Sequence, residues 1–452
     1  MLMHQLADYA VKEQTSKLPP EVVHHAKRAI IDWHAALFPG SVVAPATILE
    51  QALAEDLDRG DATLASGRRA TLRAAALING AAAHAVEVDD IYRDAGYHPG
   101  APTIAAALAA AQAYGADGDT LLRAVIVGYE VSTRIGEAVM PAHYKYWHTT
   151  GTVGCFGTAA AVATVLGCDR DQFANALGCV GTFASGLQQA FLSESMVKPL
   201  HSGHAAEVGA MAAMAAKKGL IGAHDILEGP VGFGQAMSGD CDWSKATKDL
   251  GTDYHITRMT FKNHCCCGHI FAPIDGALHL QSANKLSHDQ IKRVSISTYK
   301  AGVNIVGNYN AASELEARFS APYVVANALV HGSVRLNAFT PERLNDPVTR
   351  DLMQRVVVSS DPELSAGYPG RRAAHIEIET TRGQVLKHFQ PTRKGDPDAP
   401  HTDAELNDKY AELAAPVIGA AAAAELLDKL WRLEHSRSLD FYSRKPNVRA
   451  AG

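Results

Sequence analysis

The sequence predicts a mostly α-helical protein with a smaller α+β domain. Three observations predict it. Roughly the first 258 residues are dominated by Ala-rich patterns of helical period, punctuated by Gly and Pro and without period-two alternation. Beyond them the chain turns to β-branched, partly alternating segments. The length, 452 residues, is about three times the ~150 residues of a usual domain. The expected division is an all-helical domain over 1–258, a smaller α+β domain over 259–395, and C-terminal helices over 396–452 that pack back on the first domain.

Each element has a local reason. After Pro19-Pro20, residues suited to a first helical turn, Val22, Val23, Ala26, Ile30, Ile31 and Trp33 recur at helical spacing. The stretches 121–139 and 152–167 are apolar nearly all round and rich in small residues, as in helices buried in a bundle. Segments 292–299, 354–361 and 373–388 read as strands, and Thr381-Arg382-Gly383 inside the last signals a hairpin. Between them 313–332 is helical again, which makes the second domain α+β. Thr402 and Glu405 form a capping box at the start of the tail helices.

Composition narrows the function. With 42 Lys plus Arg against 48 Asp plus Glu, and no dense basic run, nucleic acid is an unsuitable partner. No stretch has the ~20 unbroken apolar residues that a bilayer requires, and the N-terminus lacks the apolar core of a signal peptide. Seven cysteines, three of them adjacent at Cys265–Cys267, suit reduced thiols better than a disulfide framework, so a soluble cytoplasmic protein is expected. Adjacent Cα atoms 3.8 Å apart cannot aim three thiolates at one tetrahedral ion, so these cysteines read as structural rather than metal-binding, and no metal site is expected. Motifs for dinucleotides, P-loop phosphates, zinc proteases and serine hydrolases are missing.

Four clusters carry candidate chemistry. In HAVEVDDIYRDAGYHPGAP (84–102), Asp89, Asp90 and His98 fall in a Gly/Pro-forced loop after an Ala-rich helix. A carboxylate beside a histidine can act as an acid/base pair, although two adjacent acids cannot face one point in regular structure. In HYKYWHTTGTVG (143–154), Tyr144, Tyr146 and His148 precede a small-residue helix whose N-terminus suits a carboxylate. In MVKPLHSGHAAEVGAMAA, Pro199 fits the first helical position, which places Lys198 at the N-cap, where the dipole would lower its pKa, with His201 one turn away. The last cluster sits at the expected domain junction, with Lys262 before the cysteines, and Arg318 and Tyr323 on a nearby helix. Against each stands a plain alternative: a solvated loop, a helix cap, a surface lysine or ordinary packing.

Together, VEVDDIYRDAGYHPGAP, GYEVSTRIG, WHTTGTVGCFGTAAA, GTFASGL, MVKPLHSGHAAEVGAMAA, DILEGPVGF, FKNHCCCGHIFAPIDG and EARFSAPYVVA resemble the MmgE/PrpD family, in family order along nearly the whole chain. The resemblance implies a large helical domain with a smaller α+β domain, a homodimer, and a site that uses neither metal nor organic cofactor. It also implies pocket roles for Asp89 or Asp90, His98, His148, Lys198, Lys262 and Tyr323. One motif departs: the decarboxylases of the family usually show Asp-Asp-Thr-Trp-His, whereas this chain reads Asp89-Asp90-Ile91-Tyr92-Arg93.

Reactions of the family move a proton at a carbon next to a carboxylate. Lysine and histidine cations can neutralise substrate carboxylates and stabilise enolate charge while a second group moves the proton. The sequence-based expectation is an epimerase or racemase of an imino- or amino-dicarboxylate such as iminodisuccinate. Lys198 would serve one face, and Tyr144, Tyr146 or His148 the other. The alternative is a lyase, a 2-methylcitrate dehydratase-like or cis-aconitate decarboxylase-like enzyme. A helical binding protein for small acids is the non-enzymatic reading. A homodimer is also expected from the apolar Ala/Gly-rich helices at 104–112 and 152–167.

Overall fold

Small side chains let helices approach closely, and in the computed structural model, which describes residues 1–193, 195–368 and 370–442, they build the larger of two units. That unit comprises Met1–Thr260 and the chain from Thr402 onward, and the second comprises Phe261–His401.

The first unit opens with α1 (Leu2–Glu13), α2 (Pro20–Ser41) and α3 (Leu72–Ala85), followed by α4 (Gly100–Tyr114), α5 (Gly118–Val139), α6 (Gly154–Val165), α7 (Arg170–Val180) and α8 (Val197–Lys217). α2 begins with Pro in its first turn, and α7 begins with an Asp169/Gln172 capping box. α4 and α6 lie in the interior, with Ala105–Ala111 and Ala159–Ala163 at 2% exposure or less. The apolar surface of these two helices, from which a dimer is expected, is thus consumed within the bundle. α3 and α8 cross at their glycines: a Cβ on Gly203 would stand 2.4 Å from the Leu77 carbonyl oxygen, and one on Gly80 3.1 Å from the Gly203 Cα. No larger residue allows this approach, which brings the end of α3 and the start of α8 together.

The unit is not wholly helical. β1 (Leu57–Thr63) pairs antiparallel with β2 (Arg69–Ala70) in a short hairpin that the sequence reading did not anticipate. Its sequence, LDRGDAT, lacks hydrophobic alternation because five of its seven residues are not buried.

In the second unit a four-stranded sheet of order β4-β3-β5-β6 is made from β3 (Ile291–Thr298), β4 (Val356–Ser360), β5 (Ala374–Thr380) and β6 (Val385–Gln390). β3 runs parallel to β4 and antiparallel to β5, and β5–β6 is the hairpin turned at Thr381–Gly383. Inward-facing Val294, Ile296, Ile376 and Ile378 are buried, and the sheet packs against α9 (Phe271–Asn284). α10 (Ala321–His331) packs against α9.

The chain then returns to the first unit with α11 (Asp403–Ile418), capped by Thr402 and Glu405, and α12 (Ala420–Trp431). α11 packs along α2. Residues 443–452, the end of the expected 396–452 segment, lie outside the described residues. Among the described residues no helix is long and apolar enough to cross a membrane.

Candidate active site

Where α3 ends, the chain forms a loop whose acidic residues separate by direction. Glu87 takes a left-handed conformation (φ 60°) just after the helix. Asp89 and Asp90, 1% and 3% exposed, then point to different partners. One Asp89 oxygen lies 2.7 Å from His84 Nδ1 and 3.0 Å from His98 Nδ1. Asp90 turns to the Tyr129 hydroxyl, which donates at 2.7 Å, and to the Gly100 N–H at 3.0 Å.

Burial opposes ionisation of Asp89, yet the charges and hydrogen bonds of His84 and His98 outweigh it and hold the carboxyl well below its usual range. Asp90 goes the other way. Burial, and next the Asp32 charge, raise it to about 8 against the Tyr129 hydrogen bond, so it carries a proton at neutral pH.

The His84 ring stacks on His148 at 5.5 Å and meets His98 edge-on at 4.7 Å. His148 is the N-cap of the short helix Thr149–Thr152, and its Nδ1 is 3.0 Å from His201 Nδ1 on α8. One of those nitrogens must donate and the other accept, so the pair shares a single Nδ1 proton. Burial first, then nearby histidines and Lys198, lower His148 well below 6.5. The His201 ring is lowered to about 4 by burial, His84, His204 and Lys198. Both imidazoles are neutral at pH 7. The loop carrying Ser185 and Gly186 passes tightly over His201: Gly186 has φ 131°, and a Cβ there would lie 3.2 Å from the ring.

Lys198 corrects the sequence reading of its helix. α8 begins at Val197 with Met196 as N-cap, so Lys198 is the second helical residue and Pro199 the third. Its ammonium is paired with the Glu87 carboxylate and lies 5.5 Å from the Phe191 ring centroid. Phe191 in turn sits edge-on to His148 at 4.8 Å. Asp89, His98, His148, Lys198 and His201 are thus gathered, and Glu87 and His84 join them.

Two expected site residues, Tyr144 and Tyr146, stand apart from that group, and three others belong to the second unit. Tyr144 and Tyr146 are 41% and 60% exposed on the turn before His148, which does not set their phenols among the buried histidines. Arg318 and Tyr323 serve the interior of the second unit. Arg318 pairs with Glu314 at 2.7 Å and donates to the Cys265 carbonyl at 2.5 Å. Tyr323 donates to the Ala338 carbonyl at 2.5 Å, and burial pushes its hydroxyl up to about 12. Lys262, also in that unit, is 2% exposed, not the surface lysine of the plain alternative. Cys265–Cys267 are free thiols, two of them buried. In Asp89-Asp90-Ile91-Tyr92-Arg93, Ile91 pairs through its backbone with Thr260 (2.8 and 2.9 Å), and Tyr92 donates to Glu137.

Ligand atoms of His84, Asp89 and His98 lie within 4.8 Å of one another, near enough to share an ion. The two Nδ1 atoms nonetheless converge on a single Asp89 oxygen at hydrogen-bond distance, the arrangement that fixes two ring orientations and leaves both Nε2 atoms to the far side.

The MmgE/PrpD N-terminal domain matches residues 4–246, and the MmgE/PrpD C-terminal domain matches residues 264–433. The chain is 26% identical to the cis-aconitate decarboxylase-like protein oryM of Aspergillus oryzae, over 96% of this chain and 93% of that protein. It is 25% identical to the cis-aconitate decarboxylase of Aspergillus terreus, over 95% and 92% of the two chains. Against the cis-aconitate decarboxylase of Mus musculus the identity is 28%, over 80% and 75%. By name these relatives are lyases rather than the epimerase expected from the sequence.

Proposed function

The chain belongs to the MmgE/PrpD family, and from that premise we propose a lyase that removes a carboxylate from a small di- or tricarboxylic acid of the cis-aconitate type. The observation that carries this reading is Asp89 fixing His84 and His98, with His148, His201 and Lys198 adjoining. The relatives named as cis-aconitate decarboxylases support it.

Decarboxylation of an unsaturated acid asks for two things from the protein. As the bond to the departing carboxylate breaks, its electron pair moves through the adjacent double bond, CO2 leaves, and the far carbon takes a proton. His98, as the imidazolium held by Asp89 through Nδ1, is assigned the proton donor through its Nε2–H. Lys198 is assigned the cation that neutralises a remaining carboxylate and the charge that develops beside it. The neutral His148–His201 pair orients the acid through hydrogen bonds. Asp90, protonated, shapes the loop without adding a second negative charge. Lys262 remains a proposed carboxylate contact on the strength of the resemblance, and the assembly is proposed to be a homodimer.

Proton NMR in D2O with candidate acids tests the reaction. Vinyl signals with CO2 loss are expected. Deuterium exchange at Cα without net product would return the epimerase reading, and no change with any acid would leave a binding protein. Activity is expected to survive EDTA. Loss restored by a divalent ion would instead assign His84, Asp89 and His98 to a metal.

A further inference from the structure

Behind the acidic loop lies a cation that neither the sequence reading nor the family comparison assigns. Lys409 on α11 is 1% exposed. Its ammonium donates to Asp32 Oδ1 of α2 at 2.6 Å and to the main-chain carbonyl of Val88 at 2.8 Å. Asp32 is fully buried, Val88 is 1% exposed, and Val88 immediately precedes Asp89. Burying an ammonium is costly, and a hydrophobic residue of similar volume commonly serves stability as well as a buried ion pair does. The position of this lysine therefore calls for another reason.

The loop offers one. Its backbone is anchored at Gly100, whose N–H meets Asp90, at Ile91, which bridges Thr260, and at Val88 by Lys409. The Lys409 bond lies nearest Asp89, which must sit within hydrogen-bond reach of two imidazoles at once. The charged group facing the ammonium is Asp32 from α2, and the Asp32 charge also acts on the protonated Asp90.

We propose that Lys409 is a positioning residue for the proposed reaction: by holding the Val88 carbonyl it fixes Asp89, and through Asp89 the rings of His84 and His98. The proposal rests on the acid/base reading of that cluster, and its test separates the two. Lys409→Met, Asp32→Asn and the double variant Asp32→Asn/Lys409→Met are compared with the wild type by melting temperature, by hydrogen exchange of a peptide spanning 86–99, and by kcat and KM for the acid the wild type turns over.

Lys409→Met strands the Asp32 charge and should melt lower. The double variant removes that charge and should regain most of the melting temperature. Its loop should still exchange at least about tenfold faster than wild type, with kcat down roughly 10- to 100-fold and KM changed much less, as expected for a small misplacement of catalytic groups. Asp32→Asn alone keeps the Val88 bond and should keep the loop protected. Wild-type exchange and kcat in the double variant would overturn the proposal and leave Lys409 as a counter-ion only. If Lys409→Met does not fold, the double variant decides. If the wild type turns over no acid, the proposed function fails, and the exchange measurement still decides the role of Lys409.

Discussion

At the scale of single residues, Lys198 is where the structure changes an energetic expectation. An N-cap lysine opposes the helix dipole, and its removal would be harmless or slightly stabilising. Paired with Glu87, both side chains largely covered at 19% and 12% exposure, it has a different balance. Lys198→Ala should lower kcat by roughly 10²- to 10⁴-fold and should also lower stability by about 1–3 kcal/mol, because Glu87 loses its partner. Urea unfolding of the single variants and of Lys198→Ala/Glu87→Gln measures the coupling. His201 predicts a pH effect. Its folded pKa is about 4, below the ordinary 6.5, so from pH 6.5 down to about 4 the unfolded chain binds a proton that the folded chain does not. Stability should fall with acidification across that window, and His201→Gln should flatten the slope of melting temperature against pH. Asp89, His98, His148, Lys198 and His201 stand in local patterns rich in reactive groups, which made them legible in the sequence. His84 did not stand out, because one imidazole in an Ala-rich helix reads as packing until its partner Asp89, across the helix end, is seen. Arg318 and Tyr323 differ in that their polar groups are engaged by nearby carbonyls of the second unit, which a helical projection does not reveal.

Among elements, the crossing of α3 with α8 sets the site, because His84 closes one helix while Lys198 and His201 open the other. Gly203→Ala should cost about 1–3 kcal/mol of stability by overpacking, since its methyl would meet backbone at the Leu77 carbonyl rather than a movable side chain. The same variant should reduce kcat by displacing the start of α8, whereas Gly219→Ala near the end of that helix has open space around it and, although strained at φ 98°, should leave kcat unchanged. Steady-state kinetics beside denaturant melts distinguish the two. Elements with strong end signals were readable from sequence: Pro19-Pro20 before α2, the Thr402/Glu405 box before α11, and the Thr-Arg-Gly turn of β5–β6. β1–β2 was not, because an exposed hairpin need not alternate, and the short helix Thr149–Thr152 separates from α6 at Val153 without a breaking residue.

For the whole molecule, the homodimer expectation moves to a different surface. With α4 and α6 buried, the large apolar side chains left exposed include Phe183, Leu187 and Met196 before α8, Val197 at its start, and Leu220, Ile221 and Val231 after it, the last two at 82% and 91%. Apolar surface of this kind is where association is expected. Light scattering at micromolar concentration should give a dimer, and Ile221→Asp with Val231→Asp should shift it toward monomer. A wild-type monomer would count against the assembly. The division into units could be approximated from composition because the sequence changes from helical to β-branched patterns, but the junctions at 260/261 and 401/402 depend on contacts between distant segments.

Asp32 and Lys409 are separated by 377 residues of chain. At the ribosome's pace of about 5–20 residues per second, the carboxylate of α2 emerges roughly 20–75 s before its ammonium. Within that interval the rest of α2 through Thr260 and then the whole second unit are translated, and the growing bundle contains an acid destined for a dry interior with no counter-ion yet made. The first unit therefore cannot finish folding in the order in which it is synthesised. Its nascent form is exposed to chaperones and proteases for most of the protein's birth, and a pause or truncation just upstream of α11 should yield a chain that is degraded rather than a stable fragment.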